Sequence, residues 1–169
     1  MTESDILFVD QEYLLQDARK YVKNNLDDGI ICPCCNKYAR RYKRKFNATM
    51  AKSLLWLVKT YLNNKPYNFI DVPKDGPRWL VRSNQLATIR WWDLAQRPIN
   101  EDNPDLKHSG LWKPTEKGIN FVFRKIRIPE IAVTYDGDLQ ELSGNLVSIE
   151  DTLGTKFSYS EIMENEDDV

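Results

Sequence analysis

All three cysteines of this chain lie within four consecutive positions, Cys32-Pro33-Cys34-Cys35. Cysteines so close together cannot tie distant parts of a chain, so no disulfide framework can hold the fold. The core has to come from buried apolar side chains. At 169 residues, 41% hydrophobic and with five tryptophans, the sequence has the material for one domain with or without appendages. The cysteine usage reads as a reducing, cytoplasmic setting. The start, Met1 to Leu7, has neither a basic region nor an apolar stretch, so it does not read as a signal peptide. No apolar run approaches the roughly 20 residues of a membrane span.

The net charge of −1 conceals an uneven distribution. Residues 29–70 carry nine basic and no acidic side chains, whereas residues 130–169 carry one basic and eleven acidic ones. The basic middle is suited to a polyanion. The competing reading is that the acidic C-terminal third covers it within the monomer.

The cysteine cluster contains a C-x-x-C pair, Cys32 and Cys35, which is half of a zinc knuckle. Adding Cys34 and the sole histidine, His108, gives four candidate ligands for a structural Zn2+. Adjacent Cys34 and Cys35 reach one ion only awkwardly. A carboxylate or water completing Cys32, Cys35 and His108 is the other composition. Packed inert thiols and a redox pair stay open as alternatives, although no thioredoxin-like strand and helix flank the motif.

After the cysteines comes a basic run, Lys37, Arg40, Arg41, Lys43, Arg44 and Lys45, interleaved with Tyr38, Tyr42 and Phe46. Aromatics four apart share one face of a helix. The run is therefore expected to be helical, anchored by its rings, with its cations fanned toward phosphates.

Elsewhere the periodicity predicts a helix over residues 5–26, a turn at 24–29 and a short strand at Ile30-Ile31. A helix after Asn47 buries Met50, Leu54, Leu57, Val58 and Tyr61. A strand or linker follows at 67–72, then a loop at Pro73–Pro77. A second helix runs from Ser83, its cap, to Ala95, with Leu86, Ile89, Trp92 or Trp91, and Leu94 inward. Pro98 to Pro104 is a polar loop. Leu111–Pro114 is a strand, and Thr115 caps a helix over Glu116–Arg124. Strands then lead through an Asp136-Gly137 hairpin to Leu139–Leu142, a turn at Ser143-Gly144-Asn145 and a strand at Leu146–Ile149. A last helix begins at Ser158 or Ser160, and an acidic tail closes the chain.

The stretch Leu111-Trp-Lys-Pro-Thr115-Glu-Lys-Gly118-Ile-Asn-Phe121-Val resembles the end of a winged-helix domain. There a wing strand runs into a helix that opens Thr-x-x-Gly. The resemblance covers about residues 47–125; Pro114 and the long 98–110 loop depart from it. Cys-Pro-Cys-Cys, Tyr42 to Met50 and Trp112 to Gly118 also resemble a family of small phage and prophage proteins that brings no activity with it. A phage source implies the host-cell cytoplasm.

The expectation is an α+β chain whose winged-helix-like core follows a Cys-rich turn and precedes a small antiparallel β part. Its divisions are 1–28, 29–46, 47–127, 128–160 and 161–169. The expected function is duplex DNA binding in regulation or DNA metabolism. Lys37, Arg40, Arg41, Lys43, Arg44 and Lys45 would meet phosphates, and Arg82, Gln85 and Arg90 base edges. The alternative is a phage inhibitor that binds a host nuclease or defence protein, with the acidic third mimicking nucleic acid. A winged helix serves either use. Catalysis is not expected: G-x-S-x-G, H-E-x-x-H, the P-loop and G-x-G-x-x-G are all missing, leaving only a Cys34–His108 pair.

Overall fold

Among the described residues Leu15 to Asn24 form the first helix, α1, because Ala18 and Val22 repeat at helical spacing and both are buried. The computed structural model describes residues 14–66, 68–99 and 110–164. The earlier part of the helix expected over 5–26 lies outside them. By its internal contacts the chain divides into two units. One takes residues up to Arg44 with Val133–Glu141; the other takes Lys45–Ala132 with Leu142 onward.

In the first unit, α1 leads into a turn that ends at Gly29, whose φ of +84° only glycine adopts readily. A Cβ at Gly29 would also strike the Tyr38 ring. Strands β1 (Ile30–Ile31) and β2 (Tyr38–Ala39) then pair antiparallel, Ile30 opposite Ala39 and Ile31 opposite Tyr38. Val22, Leu26 and Ala39 form a small core with Ile30, Cys32 and Tyr135 against it.

The second unit is built on one helix, α2 (Ala48–Asn63), capped by Asn47, whose side chain accepts from the Met50 N–H at 3.0 Å. Met50, Leu54, Leu57 and Val58 are buried as the periodicity predicts, and Tyr61 is partly buried. Ala51, Leu55 and Trp56 are buried as well. A helix apolar on nearly all sides is one with neighbours on all sides. Here they include α7 (Ile149–Leu153) and α8 (Tyr159–Glu164), from the far end of the chain.

Following α2 come β4 (Ile70–Asp71), one turn of helix α3 (Val72–Asp75), α4 (Arg78–Ser83) and α5 (Leu86–Ile89). A 3-10 turn (Arg90–Trp92), β5 (Ala95–Gln96), β6 (Leu111–Pro114) and α6 (Glu116–Val122) complete this part. The sheet order is β4-β6-β5, all antiparallel, with Ile70 opposite Trp112 and Ala95 opposite Pro114. The remaining strands are β3 (Tyr42–Lys45), β7 (Ile128–Tyr135) and β8 (Asp138–Val147), in the order β3-β7-β8. The chain is thus α+β with antiparallel pairing and a β part toward its C-terminus.

Four local expectations need correction. The helix expected from Ser83 to Ala95 starts only at Leu86 and ends at Trp92. Ser83 does not cap it; its hydroxyl donates back to the Leu80 carbonyl at 3.0 Å, and Asn84 breaks the path at φ +47°. Leu86, Ile89, Trp92 and Leu94 are buried nonetheless, with Trp91 partly so, because the inward spacing survives the break. The loop expected at Pro73–Pro77 begins as α3, since Asp71 accepts from Lys74 N–H and Pro73 suits a first turn. The helix after Thr115 ends at Val122, short of Arg124, whose φ is +63°. Finally, Ser143-Gly144-Asn145 is not a turn: β8 runs through it, and Gly144 at φ +86° is absorbed within the strand. The hairpin at Asp136-Gly137 forms as expected, with positive φ at both residues.

Candidate nucleic-acid interface and cysteine turn

The basic run is where the structure departs furthest from the expected helix. Lys37 closes the cysteine turn before β2, Arg40 and Arg41 lie in the link between β2 and β3, and Lys43, Arg44 and Lys45 lie on β3. A spacing of four is also a multiple of two, so Tyr38, Tyr42 and Phe46 fit one face of extended chain as well as one face of a helix. Nor do the rings act together as an anchor. Phe46 is buried, but Tyr38 and Tyr42 are 54% and 50% exposed.

The six cations divide into two groups. Arg41 Nη1 lies 2.8 Å from both carboxylate oxygens of Asp27, and Lys45 Nζ lies 2.9 Å from Glu130. Lys37, Arg40, Lys43 and Arg44 are exposed and make no ion pair with a described residue. Among the described residues the acidic third forms an ion pair with the basic run at Lys45, and Lys43 and Arg44 stay exposed.

Glu130 carries a consequence for pH. Its carboxyl is held below the usual range first by the Lys45 ammonium; partial burial opposes this and the Asn145 N–H assists it. A lowered carboxyl stabilises the fold above its unfolded-state value, and the contribution is lost as pH falls through the folded value. Acidification from neutral to about pH 3 should therefore cost the wild type more than Glu130→Gln, read as the shift in urea midpoint. Equal shifts in the two proteins would mean that the pair adds nothing to stability.

The second set of candidates sits on α4 (Arg82), at the start of α5 (Gln85) and on the 3-10 turn (Arg90). Arg82 and Arg90 are exposed. Gln85 is half-buried, and its amide nitrogen donates to the Ser83 carbonyl at 3.0 Å, so it braces the α4–α5 junction. Arg90 Nε donates to Ala87 O at 3.0 Å, which occupies one of its five donors. Sequence reasoning missed Arg78, exposed at the start of α4. Pro77 just before it was the available signal, since a proline marks a helix start. Arg97 has another role: half-buried, it lies 4.4 Å over the Trp112 ring, and burial pushes its pKa down.

The cysteines form a closed turn between β1 and β2. Cys32 N–H donates to Lys37 O at 2.8 Å, and Asn36 N–H donates to Cys32 O at 2.9 Å. Asn36 takes φ +58°, which asparagine tolerates better than most residues. Inside this loop the backbone N–H groups of Cys34 and Cys35 point at the Cys32 sulfur, and these bonds pull its thiol pKa down. Cys34 goes the other way, raised first by burial and then by the Cys32 charge beside it. Cys32 is half-buried; Cys34 and Cys35 are exposed. Among the described residues no three His, Cys, Asp or Glu side chains are grouped to hold a metal ion. His108, the fourth expected ligand, lies outside the described residues, as does most of the loop expected at Pro98–Pro104.

An apolar cleft of about 410 Å³ opens beside the turn, within the first unit. Leu15, Val22 and Leu26 line it together with Cys32, Cys34 and Arg19. No helix among the described residues is long and apolar enough to cross a membrane. Comparison of the chain with protein families, with curated proteins and with solved structures finds no match.

Proposed function

We propose that this chain binds duplex DNA through a winged-helix-like core, as a phage-encoded protein of regulation or DNA metabolism. The observation that carries the reading is the order of elements in the second unit. A helix (α2), a strand (β4), the single turn α3, helices α4 and α5 with their 3-10 turn, and two further strands follow in order, with the last strand central in the order β4-β6-β5. That is the succession a winged helix uses to present a helix pair to a groove. On that pair and the 3-10 turn after it Arg78, Arg82 and Arg90 are exposed, while Leu80, Leu86, Ile89 and Trp92 are buried. Lys43 and Arg44 on β3 add positive charge suited to a phosphate backbone.

The alternative is a protein-binding inhibitor whose acidic third imitates nucleic acid. It has less support, because Glu130, Glu150 and Asp151 are already paired with Lys45, Arg124 and Arg127. Salt titration of duplex binding decides between the two. Each phosphate neutralised contributes about 0.9 to the slope of log affinity against log salt. Arg78→Gln with Arg82→Gln and Arg90→Gln should lower the slope by roughly two to three units, and Lys43→Gln with Arg44→Gln by roughly one to two. Glutamine keeps helix propensity close to that of arginine, so the fold is retained. Unchanged slope and affinity in both variants would sink the DNA reading and favour the protein partner.

A further inference from the structure

We infer that two copies of this chain share one zinc ion, each copy contributing Cys32 and Cys35 as thiolates. The inference is independent of DNA binding. It starts from the shape of the turn. Two backbone bonds, Cys32 N–H to Lys37 O and Asn36 N–H to Cys32 O, lock Cys32 to Lys37 into a rigid loop. The N–H groups of Cys34 and Cys35 converge on the Cys32 sulfur, and the Cys35 thiol lies within hydrogen-bonding reach of it. This is the arrangement a metal-bound thiolate uses: sulfurs brought together by a tight turn, with outer N–H donors that orient the ligand and disperse its charge. Cys34 serves that outer role through its backbone, which leaves the spaced pair Cys32 and Cys35 as ligands.

A structural zinc site takes four donors in a tetrahedron, and this turn supplies two. The surroundings favour a second copy as the source of the others. Cys35 is exposed. Beside the turn, Ile31 and Tyr38 stand directly opposite each other on β1 and β2, and each is 54% exposed. A large apolar pair left in water at the base of a half-site is the surface a symmetric contact would cover, since a two-fold axis brings the same patch of each copy together. Charge then makes the contact depend on metal. Arg19 and Lys23 line the cleft next to the cysteines in each copy, while Arg41 there is paired with Asp27, and without an ion the two copies repel. On binding, each thiol gives its proton to solvent and its lone pair to the metal. Zn2+ with four thiolates carries two negative charges, which the flanking cations offset.

The test uses the full chain, purified without chelator and titrated with ZnCl2. Mass is read by light scattering after gel filtration, and metal by elemental analysis. The expected result is a dimer holding one zinc per two chains, reduced to monomer by EDTA and restored by zinc. Cys32→Ser and Cys35→Ser should each abolish metal and dimer while circular dichroism reports a folded monomer. Cys34→Ser and His108→Ala should keep both. Co2+ in place of zinc should give the absorption of a tetrahedral thiolate site, a readout that does not depend on either cysteine variant folding. One zinc per monomer, lost in His108→Ala, would overturn the inference in favour of a site closed within one chain. A dimer indifferent to EDTA, or no metal at saturating zinc, would also overturn it.

Discussion

Replacing Gly118 with alanine is expected to destabilise the second unit by about 3 kcal/mol, the upper end of what overpacking usually costs. The direction is what makes the experiment informative. Gly118 sits in the first turn of α6, where helix propensity alone would favour alanine by about 1 kcal/mol. The structure opposes that preference. A Cβ at this position would collide with the Leu94 carbonyl oxygen and come within 2.9 Å of its carbonyl carbon. Those are backbone atoms of a residue with no solvent exposure, so no flexible side chain can swing aside. The same carbonyl accepts the Thr115 N–H at 3.1 Å, and pushing it away would strain the entry to α6. Urea unfolding followed by tryptophan fluorescence gives the midpoint. An alanine variant as stable as the wild type, or more so, would show that Gly118 is placed by chance and not by contact.

Trp92→Ala should cost more still, about 3–5 kcal/mol, comparable with the whole stability of many domains. Trp92 is completely buried. Its ring meets Phe46 edge-on, with centroids 5.1 Å apart and planes at 78°, and Phe46 in turn meets Phe121 at 5.7 Å. Its Nε1–H donates to the Pro129 carbonyl at 2.6 Å, tying the end of the 3-10 turn to the start of β7. Trp92→Phe separates the two contributions. It keeps most of the packing and leaves the Pro129 carbonyl without its donor, at a cost of about 1–3 kcal/mol. Near-ultraviolet circular dichroism and urea midpoints should rank wild type above phenylalanine above alanine. An alanine variant with native near-ultraviolet signals and an unchanged midpoint would contradict this account of the core.

Several elements were legible from residues alone because the signal was local and chemically specific. Thr115 was read as a cap, and its side chain does accept from the Gly118 N–H; the Asn47 cap, which accepts from the Met50 N–H, was not read although a helix was expected to follow it. Asp136-Gly137 was read as a hairpin, since few dipeptides accept positive φ twice in succession. The inward set Leu86, Ile89, Trp92 and Leu94 held although the helix carrying it did not, because burial follows apolar spacing more closely than it follows continuous hydrogen bonding. The capping box at Ser148 and Asp151, which starts α7, was equally local and was overlooked.

What the sequence by itself determined, then, was the chemistry that acts within a few residues: the Thr115 cap, the hairpin, the cysteine turn and the apolar stripe of α2. Only the tertiary structure decided the basic run and the burial of Leu55 and Trp56. An aromatic repeat of four fits helix and strand alike, so the choice rests on whether β7 lies beside the segment; in the structure it does, and the segment becomes β3. Leu55 and Trp56 lie off the helical stripe that residue spacing predicts. The neighbours that surround α2 include α7 and α8, about a hundred residues later, so burial extends beyond one stripe. A contact between segments so far apart leaves no period in either of them, and only the folded chain brings the two faces together.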